Sequence, residues 1–181
     1  MKTLALAALM LGWTAQAAGP MAVSVGDPAL LFTLQALNED AAVASAGSSQ
    51  ISLGDFVGVQ PARPRGGVLV YFFEDSTPQS ATSLAVLERL NKRYSGKRLQ
   101  VLGVTSDDTD LGSLSTWIGD QKLSFPVLRD NHRVVGDRYG VSRQPLALLI
   151  DREGRVFAIG NPDSAALEGE LESELAALLK D

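Results

Sequence analysis

Residues 68–80 read Val68-Leu69-Val70-Tyr71-Phe72-Phe73-Glu74-Asp75-Ser76-Thr77-Pro78-Gln79-Ser80. The unbroken apolar run from Val68 to Phe73 has the length of a buried strand. A short polar turn follows, and Pro78 sits where a helix opens. Leu84, Leu87, Leu90 and Tyr94 then recur at three or four residues, the period of a helix packed on one face. Strand, tight turn and helix start place Thr77, Pro78, Gln79 and Ser80 where backbone amides and the helix dipole favour an anion.

The elements around this unit follow in order. Leu99 to Thr105 reads as a second buried strand, and Leu114, Trp117 and Ile118 mark a helix from about Leu111 to Gln121. An Asp among Asp107, Asp108 and Asp110 is placed to cap it, which also explains these acids better than a cation site does. Phe125 to Leu128 is a short strand, Val134 to Tyr139 a short helix ended by Gly140. Leu146 to Ile150 and Val156 to Ile159 flank a polar turn with glycine, the pattern of a hairpin. Leu167, Leu171, Leu175 and Leu178 define a terminal helix that Asp163 or Ser164 can cap. Upstream, Ala18 to Val25 is expected to be a flexible terminus and Phe32/Leu34 a short edge strand. Asn38 to Gln50, rich in Ala, Ser and Gly, is expected to be a loop. The order of elements predicts an α/β fold, a central mixed sheet with helices on both faces.

Composition narrows the chemistry. The 181 residues carry 45% hydrophobic and 20% charged side chains, enough apolar surface for one buried core once a leader is removed. A net charge of −5 and a pI near 4.9 do not favour nucleic acid. The chain has no cysteine and one histidine. Disulfides, thiolate catalysis and iron–sulfur ligation are therefore excluded on this chain, and no metal or other cofactor is expected. Residues 1–18 have the layout of a secretory signal peptide, with Lys2 as the charged start, Leu4 to Trp13 as the apolar core and Ala15-Gln16-Ala17 as the cleavage site. Residues 19–181 form the mature domain, expected in the periplasm or secreted. The apolar core is short for a transmembrane helix, so no stable membrane insertion is expected after cleavage.

Several stretches resemble the thioredoxin-like superfamily, in its redoxin branch of AhpC/TSA and TlpA-like thiol-disulfide oxidoreductases. Val25-Gly26-Asp27-Pro28-Ala29 is similar to the opening of redoxin domains. Phe125-Pro126-Val127-Leu128-Arg129-Asp130 with Tyr139-Gly140-Val141 is similar to a second family signature, and Pro145 followed by Leu148-Leu149-Ile150-Asp151-Arg152-Glu153-Gly154 to a third. The resemblance implies a thioredoxin-like fold. It places Thr77 and Ser80 at the positions of the redox cysteine pair, and Pro145 as a cis-proline close to them. Tyr71 stands where thioredoxins carry a buried acid.

Thiol-disulfide exchange and peroxide reduction both need a thiolate to form a bond to sulfur or be oxidised. The hydroxyls of Thr77 and Ser80 do neither near neutral pH. A serine nucleophile served by His132 lacks the usual strand–turn–helix elbow around Ser80. The sequence therefore points to a non-catalytic module, not an enzyme. It would bind an extended peptide or envelope protein in a groove of Thr77, Pro78, Gln79, Gln144 and Pro145. The competing reading is a redoxin-family oxidoreductase or antioxidant relative that takes its thiols from a partner.

Overall fold

A computed structural model describes residues 22–74, 77–94, 98–106, 110–161 and 166–180. The leader at residues 1–18, Asp107 and Asp108, the glycine stop at residues 95–97, and the caps proposed at Asp163 and Ser164 lie outside the described residues. In chain order the elements are β1 (Thr33–Ala36), α1 (Glu39–Ala46), β2 (Gln50–Ser52), β3 (Gly67–Phe73), α2 (Pro78–Tyr94), β4 (Leu99–Thr105) and α3 (Leu111–Asp120). Then come β5 (Val127–Arg129), α4 (Val134–Tyr139), β6 (Leu146–Asp151), β7 (Val156–Gly160) and α5 (Leu167–Leu178).

The strands form one seven-stranded mixed sheet in the order β2-β1-β5-β4-β3-β6-β7. β3 and β4 are parallel neighbours over their full length, from Gly67↔Leu99 to Phe73↔Thr105. Every residue of both strands is buried. This is why they read as continuous apolar runs and not as alternating ones. Successive side chains of β3 go to opposite faces. Val68, Val70 and Phe72 join a core with Ala42 and Ala46 of α1 and Val135 and Tyr139 of α4. Leu69, Tyr71 and Phe73 join a second core with α2, α3 and α5. The helices thus lie on both faces, and the β6–β7 hairpin closes the sheet antiparallel to β3.

Three expectations about the N-terminal third do not hold. Residues 39–46 form a helix, not a loop. Alanine is the best helix former, Ala41, Ala42 and Ala46 are buried, and Gly47 closes the helix at φ 70° with its N–H on the Val43 carbonyl. The Asn38 side chain does not cap this helix. Its Oδ1 accepts from Val127 N at 2.8 Å and its Nδ2 donates to the Phe125 carbonyl at 2.9 Å, so it hooks α1 to the start of β5. β1 is not an edge strand either, because it lies between β2 and β5. Its seam with β5 is short, consisting of Gln35↔Arg129 and Ala36↔Leu128. Residues 22–25 are not free: Val23 is buried and Ala22 N donates to the Tyr139 carbonyl at 3.2 Å.

Two buried acids fix the connections near β5. Glu88 of α2 accepts from Ser124 N and Ser124 Oγ, each at 2.8 Å, and pairs with Lys92. Asp130 accepts from Val135 N at 2.9 Å and Gly136 N at 2.7 Å, and so starts α4. Among the described residues no helix is long and apolar enough to cross a membrane.

Candidate functional site

The parallel strands β3 and β4 end on the same side of the sheet, and α2 opens there directly after Glu74 and the turn. Pro78 takes the first helical position, where its missing N–H leaves nothing unsatisfied. Thr77 caps the helix: its Oγ1 accepts from Ser80 N at 3.1 Å. Ser80 Oγ donates to the Glu74 carbonyl at 2.6 Å, and Thr77 Oγ1 donates to Ser80 Oγ at 3.0 Å. The two hydroxyls expected to stand at the redox positions are therefore direct neighbours, locked to the end of β3.

This arrangement weakens the expected preference for an anion. Of the first amides of α2, Pro78 has none and that of Ser80 is held by Thr77 Oγ1. The dipole remains, with fewer donors through which to act.

Facing the helix start, the chain enters β6 through a cis Gln144–Pro145 bond. Asn161, just beyond β7, holds this bend. Its Nδ2 donates to the Pro145 carbonyl at 2.7 Å and reaches the Arg143 carbonyl at 3.4 Å. Between the bend and α2 lies a cleft of about 130 Å³. Four of the five expected groove residues line it together: Thr77, Gln79, Gln144 and Pro145. Ser80 lines it as well, whereas Pro78 does not. The sequence reading missed Phe73, Glu74 and Ser83 as lining residues. Glu74 immediately follows β3, and Ser83 lies one turn beyond Ser80, so helical spacing alone would have suggested the latter.

The electrostatics of the cleft are one-sided. Burial pushes the Tyr71 hydroxyl above its ordinary pKa, against a smaller opposing effect from its bond with Ser83. Tyr71 is thus a neutral phenol at physiological pH and cannot relay protons as a carboxylate would. Gln144 Oε1 is buried and has no hydrogen-bond partner among the described residues. His132 is exposed in the turn before α4, at φ 59°, and does not line the cleft. Asp110 caps α3 through Ser113 N at 3.0 Å. Trp117 is a half-buried member of the core under α3. No group of three or more His, Cys, Asp or Glu among the described residues is placed to hold a metal ion.

Comparison with known proteins agrees with this architecture. The sequence model of the AhpC/TSA family matches residues 25–159. The thiol-disulfide oxidoreductase ResA of Bacillus thuringiensis is 27% identical over 107 residues, 58% of this chain and 61% of that protein. The chain therefore spans less than two thirds of that relative. Two solved structures share the fold. One is peroxidoxin BcpB from Mycobacterium tuberculosis, with a TM-score of 0.66 at 17% identity, covering 86% of this chain and 96% of that one. The other is a secreted M. tuberculosis disulfide oxidoreductase homologous to E. coli DsbE, with a TM-score of 0.61 at 19% identity, covering 81% and 95%. At these identities they speak for the thioredoxin-like fold, not for an activity.

Proposed function

The chain belongs to the AhpC/TSA family, and we propose that it is an exported member that has kept the binding cleft and lost the chemistry. It holds extended segments of peptides or envelope proteins between the start of α2 and the bend at Pro145. One observation carries the reading. The positions that the family resemblance assigns to the redox pair are Thr77 and Ser80, whose protons are both engaged, at 3.0 Å and 2.6 Å, on a chain with no cysteine. Neither oxygen can form the covalent sulfur intermediate that reduction of a disulfide or a peroxide passes through. Among the described residues no histidine or lysine lines the cleft to activate Ser80 as a nucleophile instead.

Export rests on the charged start, apolar core and small-residue site within residues 1–18. A secreted relative by fold is consistent with it. Intact-mass measurement of the protein recovered from its native host should give a chain shortened near Ala17 or Ala18. Retention of Met1 would sink the export reading.

The activity test is an insulin-reduction and peroxide-consumption assay on the purified protein, with and without added glutathione. No turnover above a protein-free control is expected in either condition. Turnover that appears only with glutathione would establish the partner-thiol reading in its place.

A further inference from the structure

Resting on that reading of the cleft as a binding site, we infer that its ligand presents a cationic, donor-rich group, the ammonium or guanidinium head of a lysine or arginine side chain. Three independent observations converge on it. The first is the direction of the hydroxyl bonds. A carbonyl can only accept, so the proton of Ser80 points inward to the Glu74 carbonyl, and the proton of Thr77 must then be the one shared between the two hydroxyls. Ser80 N is held as well. A helix mouth that would ordinarily offer donors offers lone pairs here.

The second observation is Gln144 Oε1, an acceptor buried with no partner among the described residues, on a side chain that lines the same cleft. A buried acceptor left unsatisfied is destabilising, and a ligand N–H reaching it would relieve that cost. The third is charge. Among the described residues, Glu74 is the acidic side chain that lines the cleft and no lysine or arginine lines it, and the chain as a whole carries −5. Phe73 and Tyr71 back the cleft from the core, each 1% exposed. A space of about 130 Å³ suits a side-chain head with its last methylenes.

The test uses the ¹⁵N-labelled protein and two kinds of probe, followed by amide chemical shifts. The first is a short extended peptide, Ser-Thr-Val-X-Val-Thr-Ser, with X as lysine, arginine, norleucine or glutamate. The second is n-butylammonium chloride against n-butanol at matched ionic strength. The lysine and arginine peptides are expected to shift the signals of Ser80, Ser83 and the Gln144 side chain. They should bind at least about fivefold more tightly than norleucine, as a charge-assisted hydrogen bond requires. Glutamate should bind most weakly. Gln144→Leu should erase the lysine-over-norleucine ratio, and Gln144→Glu should raise it, a gain that misfolding cannot imitate. Equal binding of lysine and norleucine overturns the inference and leaves peptide binding standing. If butylammonium marks the cleft and no peptide does, the cation site stands and the peptide reading falls. If neither probe reaches the cleft, both fall.

Discussion

Replacing Thr77 and Ser80 together by cysteine tests whether the helix mouth is a redox site with its sulfurs removed. The Oγ atoms are 3.0 Å apart, and a disulfide needs about 2.0 Å between sulfurs, so little movement is required. Thr77→Cys removes the cap on Ser80 N, worth about 1 kcal/mol. Ser80→Cys removes the bond to the Glu74 carbonyl, worth about 1 kcal/mol more. The reduced double variant should therefore be about 2 kcal/mol less stable than the parent. Closing the four-residue ring constrains the unfolded chain by about 2 kcal/mol in the chain-entropy account. The oxidised variant should thus return to within about 1 kcal/mol of the parent. Urea unfolding followed by tryptophan fluorescence, with and without dithiothreitol, measures the gap directly, and thiol titration reports the bond. Its insulin reductase activity should be measurable but weak, because Tyr71 cannot carry the proton. An oxidised sample that still titrates two thiols would refute the juxtaposition. An oxidised form less stable than the reduced one would show that the ring distorts the start of α2.

Two further perturbations probe the frame. Asp130→Ala leaves the buried N–H groups of Val135 and Gly136 without acceptors, so it should cost about 2–5 kcal/mol in urea unfolding, with Asp130→Asn intermediate. A loss below about 1 kcal/mol would mean that α4 does not depend on this cap. Burial raises the Tyr139 hydroxyl to a pKa of about 12, with the nearby positive charge of Arg138 acting in the opposite direction. Because the folded value lies above the unfolded one of about 10, the stability it contributes is intact below pH 10. It is lost as pH rises from there towards 12. Tyr139→Phe should flatten that part of the alkaline unfolding curve, and an unchanged curve would assign alkaline unfolding to other groups.

What the sequence made legible was set by length and burial. β3 and β4 are buried on both faces, so their apolar runs stand out from any neighbouring pattern. α2 and the β6–β7 hairpin announce themselves by period and turn chemistry. The N-terminal third was harder for a physical reason. α1 has only alanines on its buried side, and alanine marks a helix by backbone preference and not by a conspicuous apolar stripe. β1 exposes most of its four residues, burying only Ala36, so nothing local reveals that it lies inside the sheet. Its partner strand β5 is distant in sequence, and Asn38 reaches across 89 residues to meet Val127. In the site, the family resemblance located Thr77, Ser80, Gln144 and Pro145. It could not tell which way two hydroxyl protons point, and that direction is what the proposed cationic ligand rests on.

The seam between β1 and β5 has a mechanical consequence. Two residue pairs, the Leu37 N–H on the Val127 carbonyl and the double hook of Asn38 stitch the β1–β2 ribbon to β5. The β3–β4–β6 centre, by contrast, is laced along whole strands. A molecule built this way has a tear line. Pulled from its N-terminus it should first strip residues 26–29 from Gly154 and Val156 and then open at the seam before the centre gives way, and in refolding the ribbon should dock after the centre, since it waits for a long loop to close.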